Sequence, residues 1–173
     1  LATTYAGAGG TQAVTNSGSF QPDLVWVKNR SAAWNNNLAD VLRGTGKTLF
    51  SDLTDAESTN SIYGYLSAFS ASGFSVTAGS TSGNLTNQSG SNYVAWQWKA
   101  NGSGSSNTSG SITSTVSANV TAGFSVVTYT GNEVKGASVG HGLGVTPNLI
   151  ITKTRSLAGY DWAVYHSSLT SGY

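Results

Sequence analysis

The chain has no cysteine, no methionine and only two prolines, and just 9% of its 173 residues are charged. Without cysteine there is no disulfide, no thiolate metal site and no thiol nucleophile. Charged residues make up about a quarter of an average soluble domain. Here eight Lys and Arg face seven Asp and Glu, for a net charge of +1. The basic residues are scattered, so no stripe neutralises a phosphate backbone and nucleic acid is not an expected partner. No apolar run approaches the roughly 20 residues that span a bilayer and no signal peptide opens the chain, so membrane insertion is not expected. Helical periodicity is missing as well. With no methionine anywhere, Leu1 does not read as a translational start.

What is present is apolar and polar-uncharged. Hydrophobic residues make up 38% of the chain and aromatic residues 10%, a composition that folds rather than one that stays disordered. Richness in Gly, Ser, Thr and Asn with so little charge suits bacterial extracellular and virion proteins better than cytosolic enzymes. The strongest internal signal is a repeat. Thr4-Tyr5-Ala6-Gly7 and Pro22-Asp23-Leu24-Val25-Trp26-Val27-Lys28-Asn29-Arg30-Ser31 return as Thr128-Tyr129-Thr130-Gly131 and Pro147-Asn148-Leu149-Ile150-Ile151-Thr152-Lys153-Thr154-Arg155-Ser156. The prolines are 125 residues apart (147 − 22) and the tyrosines 124 (129 − 5). That spacing is a domain repeat, far above the roughly 20 to 50 residues of solenoid units.

Short β-rich runs bounded by Gly, Ser and Asn fill the units: Pro22 to Lys28, Thr48 to Ser51, Ile62 to Phe69, Gly73 to Thr77, Tyr93 to Lys99, Phe124 to Thr130, Pro147 to Lys153 and Trp162 to Tyr165. They predict an all-β fold of antiparallel β-sandwich or jelly-roll repeats with little or no helix. Both faces of Pro22 to Lys28 are apolar, which marks a central strand. In Tyr93 to Lys99 the alternation puts Val94, Trp96 and Trp98 on one face, and burial of Trp26, Trp96 and Trp98 is expected to supply much of one unit's stabilisation. Ser51 to Ser61, with Asp52, Asp55 and Glu57, suits a short helix or polar turn. Residues 1–100 read as a first sandwich repeat, 101–122 as a linker rich in Gly, Ser, Thr and Asn, and 123–173 as a truncated second repeat. The linker's end, with Ile112, Ser114, Val116 and Ala118 alternating, hints at a strand. Leu1 falls opposite Ser125, so both chain ends cut through units, as in a fragment of a longer fibre-like chain or in subunits that complete each other's sheets by strand donation.

Candidate sites are sparse. Arg43-Gly44-Thr45-Gly46-Lys47-Thr48 ends like a phosphate-binding loop, but the glycine required five positions before Gly46 is Val41, so it reads as a glycine-rich turn. Asp55 and Glu57 are the closest carboxylates for glycosidase acid and base chemistry, and Asp23 and Asp40 are a second pair that the fold could join. Turn-capping is the simpler role for all four. His141 and His166 have no counterparts in the first copy, so no metal site is expected and no cofactor either. Six Asn-x-Ser/Thr sequons occur, at Asn29, Asn84, Asn87, Asn101, Asn107 and Asn119. Trp34, Tyr63, Tyr65 and Tyr160 lie at loops or loop edges and are the candidates for stacking on a sugar ring, against the simpler reading of half-buried aromatics.

Several segments together resemble an uncharacterised repeat domain of bacteriophages, notably marine and cyanobacterial ones. They are Phe20 to Ser31, Leu42-Arg43-Gly44-Thr45-Gly46-Lys47, Tyr93-Val94-Ala95-Trp96-Gln97-Trp98-Lys99-Ala100, Gly140-His141-Gly142-Leu143-Gly144-Val145-Thr146-Pro147 and Trp162-Ala163-Val164-Tyr165-His166. Similar domains sit in large virion structural and tail-fibre-like proteins and are sometimes labelled as concanavalin-like lectin or glucanase sandwiches. One departure is Gln97, where similar sequences often carry cysteine. The resemblance implies a non-enzymatic virion module in a tail fibre, head fibre or capsid decoration. Its expected partners are other virion subunits in a homo-oligomer such as a trimer, and a host cell-surface glycan. A carbohydrate-binding adhesin module is the first alternative and a sandwich glycoside hydrolase the second.

Overall fold

A computed structural model describes residues 1–169 and contains fourteen strands and, among those residues, no helix. In chain order the first nine are β1 (Ala2–Ala6), β2 (Thr11–Thr15), β3 (Leu24–Asn29), β4 (Asn37–Asp40), β5 (Lys47–Phe50), β6 (Ser58–Thr59), β7 (Tyr65–Ser70), β8 (Gly73–Thr77) and β9 (Asn92–Trp98). The remainder are β10 (Ser105–Asn107), β11 (Ser114–Asn119), β12 (Phe124–Tyr129), β13 (Leu149–Thr152) and β14 (Ala163–His166). The all-β antiparallel sandwich expected from the sequence is what forms.

In the first unit a six-stranded sheet of order β1-β9-β3-β4-β5-β6 faces a three-stranded sheet of order β2-β8-β7. The core between them is built from alternate residues, as the two-residue period of strands requires: Val25 and Val27 from β3, Ala39 from β4, Tyr93 and Ala95 from β9, against Val14 from β2, Leu66 from β7, and Phe74 and Val76 from β8. Each fully buried large apolar side chain contributes about 1.5 to 3 kcal/mol. β3 is central, between β9 and β4, as its doubly apolar sequence predicts. Gly73 starts β8 where it meets Thr15 of β2, and a Cβ there would overlap the Val14 carbonyl oxygen.

The structure corrects the reading of β9. Its core face is Tyr93, Ala95 and Gln97, while Trp96 and Trp98 remain 39% and 36% exposed on the outer face. There Trp26 and Trp96 meet edge to face with centroids 5.7 Å apart, and Trp98 stacks on Phe124 of β12 at 6.2 Å. Alternation alone gives two faces without saying which points inward. The buried face is the one whose polar members find partners. Tyr93 Oη receives the Gln88 N–H at 2.8 Å, and Gln97 Nε2 donates to Thr3 Oγ1 at 2.9 Å.

In the stretch read as a linker, the end forms β11, the strand hinted at by the alternation from Ile112 to Ala118, and the start carries the further strand β10. β10 and β11 lie within 101–122 and pair in the three-stranded sheet β10-β11-β12. Asn101 N–H donates to Ser117 Oγ at 2.8 Å, and Ala100 N–H donates to the buried Asp23 carboxylate at 2.7 Å, so the chain is fixed as it leaves β9. Ser51 to Ser61 forms turns and the two-residue β6 rather than a helix.

The second copy repeats a hairpin of the first. β3 pairs β4 from Leu24↔Asp40 to Val27↔Asn37, and β13 pairs β14 from Leu149↔His166 to Thr152↔Ala163. The two ladders match with a shift of 125 on the first strand (152 − 27) and 126 on the second (163 − 37), one residue being added in the turn. Where Val25, Val27 and Ala39 are buried in the first unit, every residue of β13 and β14 is exposed.

Candidate functional site

Two surface features carry chemistry, and both are built by the loop Phe50 to Tyr63. The first is a cleft of about 400 Å³ lined by Trp34, Asn35, Leu53, Asp55, Asn60 and Tyr63 among others. The Trp34 and Tyr63 rings form its aromatic wall, with centroids 5.5 Å apart and planes tilted by 44°. Trp34 is placed by the turn after β3. The buried Asn29 accepts the Ser31 and Ala32 N–H groups on its Oδ1 at 2.8 and 3.1 Å, and Lys28 Nζ donates to the Trp34 carbonyl. Tyr63 sits on the turn before β7. Its N–H donates to Ser61 Oγ at 3.2 Å and its carbonyl accepts the Leu85 N–H at 2.9 Å. Asn60 enters this turn with a positive φ of 46°, a conformation that asparagine tolerates better than most residues.

Of the four aromatics singled out in the sequence, the structure thus joins Trp34 and Tyr63. Tyr65 opens β7 opposite Thr77, and Tyr160 is 55% exposed on the second copy's hairpin, at the position matching Trp34. The polar lining residues Asn35 and Asn60 carried no sequence signal, because what brings them to the cleft is the long-range pairing of β4, β5 and β6.

The second feature is a clasp between the two units, with Glu57 at its centre. Arg155 donates from Nε and Nη2 to the two carboxylate oxygens of Glu57 at 3.0 Å each, a bidentate pair. Arg43 Nη1 adds a contact at 3.3 Å. Backbone and side-chain bonds extend the same contact: Glu57 N–H to the Arg155 carbonyl at 2.9 Å, Gly159 N–H to the Thr54 carbonyl at 2.9 Å, Trp162 Nε1–H to the Phe50 carbonyl at 2.9 Å, and Lys153 Nζ to the Thr54 carbonyl at 3.3 Å. Burial alone would raise the Glu57 carboxyl, but Arg155 and then Arg43 outweigh it and hold it below the usual glutamate range. The same pairing raises the Arg155 guanidinium further.

A glycosidase acid needs a raised pKa, and Glu57 is shifted the other way. Asp55 is exposed in the cleft, whereas Glu57 is engaged by arginines, so the two carboxylates are drawn into separate roles. Asp23 and Asp40 are not brought together as a pair, since Leu24 rather than Asp23 stands opposite Asp40 and Asp23 lies across from Val41. Both are committed, Asp23 to Ala100 N–H and Gln21 Nε2, Asp40 to the Leu42 and Arg43 N–H groups and the Arg43 side chain. His141 and His166 each accept a backbone N–H two residues on, from Leu143 at 3.2 Å and Ser168 at 3.1 Å. Among the described residues no three His, Asp or Glu side chains are grouped to hold a metal ion. Arg43 to Thr48 forms a turn with positive φ at Gly44 and Gly46 and runs into β5. Two of the six sequons, Asn29 and Asn87, are fully buried.

These observations define a β-sandwich followed by a second, exposed copy of its β3–β4 hairpin, with an aromatic cleft beside the joint. The chain belongs to the family described as Domain of unknown function (DUF7483), which matches residues 1–173 and so spans both copies. No curated protein and no solved structure matches it.

Proposed function

We propose that the chain is a structural module of a bacteriophage virion, in a tail fibre, head fibre or capsid decoration, acting by assembly. The observation that carries this reading is the clasp. The second copy is fastened to the first by a bidentate Glu57–Arg155 pair, an indole hydrogen bond and two backbone bonds, the kind of fixed joint that a stiff rod of repeated units requires. The resemblance of Phe20 to Ser31 and Tyr93 to Ala100 to repeat domains of phage structural proteins supports the setting. Virion subunits, in a homo-oligomer, are the partners. Mass spectrometry of density-purified particles tests the reading: the protein is expected at stoichiometric level, and its absence from particles made by a host that expresses it would refute the proposal.

The cleft favours a second reading, a carbohydrate-binding adhesin module. An indole and a phenol beside Asn35, Asp55 and Asn60 offer ring faces for stacking on a sugar and polar groups for its hydroxyls. A glycan array is expected to give hits that Trp34→Ala or Tyr63→Ala abolishes. Hits unchanged in both variants would remove the cleft from any role in binding.

A further inference from the structure

The repeat allows the observed clasp to be carried from the second unit to the first. The residues of the second unit that grip the Phe50 to Glu57 loop are Lys153, Arg155, Gly159 and Trp162. By the register of the two hairpins their counterparts in the first unit are Lys28, Arg30, Ala33 and Asn36. Arg155 and Arg30 each stand six residues after the start of the matching strands, Leu149 of β13 and Leu24 of β3 (155 − 149 and 30 − 24). Their surroundings differ. The first-unit turn is tied to β9 by Arg30 N–H to the Asn92 carbonyl and by Asn92 N–H to Ser31 Oγ, and Lys28 Nζ is engaged by the Trp34 carbonyl. But where Arg155 holds a carboxylate, Arg30, Ser31, Ala32 and Ala33 are exposed and the Arg30 side chain has no hydrogen-bond or ion-pair partner among the described residues. At the position of Trp162 stands Asn36, whose Oδ1 is buried without a hydrogen-bond partner.

We infer that the Arg30 to Asn36 turn is a docking face for the acidic loop of another unit of the same repeat. The incoming loop has the chemistry of Phe50 to Glu57: one carboxylate for the Arg30 guanidinium and free backbone carbonyls for nearby donors. Continuity with the observed interface is the argument, since the first unit presents the same guanidinium on the same turn that already binds this loop in the second. Units therefore stack by one repeated operation, and every joint uses an arginine at the end of a β3-type strand. β1 lies at the edge of its sheet, so a unit placed ahead of it meets an open strand edge rather than a closed ladder.

The test uses a fused chain in which residues 1–124 precede the intact residues 1–173, matching the repeat's own spacing of Tyr5 and Tyr129. The absence of native cysteine makes engineered thiols unambiguous. Ala56→Cys with Ser156→Cys in the 173-residue chain calibrates the observed joint, because the neighbouring Glu57 N–H donates to the Arg155 carbonyl. In the fused chain Ala56→Cys goes in the leading copy and Ser31→Cys in the following one. The expected result is complete internal disulfide formation under mild oxidation, at a rate comparable to the calibrating pair, and its loss on adding Arg30→Glu. A control pair with the second thiol at the exposed Thr121 is expected to stay reduced. Cross-linking no faster than the control, or indifferent to Arg30→Glu, overturns the inference. A fused chain that fails to fold while the calibrating variant folds overturns it too, since the docking must occur without strain.

Discussion

At the scale of single residues, two kinds of buried ionisable group set how the protein responds to pH. Glu57 is held below its ordinary range by Arg155 and Arg43. Its folded pKa is lower than its unfolded value of about 4.3, so its contribution is fully present above that value and is lost as pH falls through the folded one. Acid titration of stability is therefore expected to show a fall below about pH 4 that Glu57→Gln removes. At neutral pH Glu57→Gln is expected to cost about 1.5 to 3 kcal/mol, since it leaves the Arg43 side chain, itself 4% exposed, with one charged partner fewer. Urea unfolding of the two proteins across pH measures both effects. Tyr5 and Tyr93 behave oppositely. Burial, with Tyr93 adding for Tyr5, pushes the Tyr5 hydroxyl well up, and burial raises Tyr93 despite its hydrogen bonds from Gln88 and Ser91. Groups with raised folded values contribute stability that is present below the unfolded value of about 10 and lost above it. The protein is expected to unfold in alkali, and Tyr5→Phe to shift that transition to higher pH, at the cost of about 1 kcal/mol at neutral pH for the lost bond to the Thr86 carbonyl.

At the scale of elements, the strands that the sequence revealed are those whose own residues alternate or run apolar: β3, β5, β7, β8, β9, β11, β12, β13 and β14. Those it hid, β1, β2, β4, β6 and β10, are short and rich in Thr, Ser, Asn and Ala, and they become strands because a neighbour offers a ladder. Ala2–Ala6 is a strand through its pairing with β9, with the Leu1 and Gln97 backbones exchanging both bonds. The same limit misled the reading of β9, where tryptophan size suggested the core while the structure buries Tyr93 and Gln97. Half of the candidate site was legible as well. Trp34 and Tyr63 stood out by type, but their meeting depends on β4, β5 and β6, and the role of Glu57 depends on Arg155, 98 residues away. Two substitutions probe this scale by thermal or denaturant unfolding. Phe74→Ala, which empties the centre of the sandwich, is expected to cost about 3 to 5 kcal/mol. Gly73→Ala is expected to prevent the β2–β8 ladder from closing, because the added methyl meets the Val14 backbone.

At the scale of the whole molecule, a β-sandwich and a second copy of its β3–β4 hairpin, related by about 125 residues, are joined by a clasp. The outer tryptophan face contributes to the same joint through the Trp98 and Phe124 stack. A rod assembled from such units would be stiff in proportion to how firmly each joint is held. The joint gives the acidic loop a structural role in a chain with so few charges: the Glu57 carboxylate binds Arg155 of the second copy. The account rests most directly on that joint, and amide hydrogen exchange measures it. The Glu57 and Gly159 amides donate across the joint, to the Arg155 and Thr54 carbonyls. They are expected to exchange slowly in the intact chain and to lose that protection together in an Arg155→Ala/Trp162→Ala variant whose β3, β8 and β9 amides stay protected. Exchange of both amides at the rate of an unstructured chain, in the intact protein, would contradict the account.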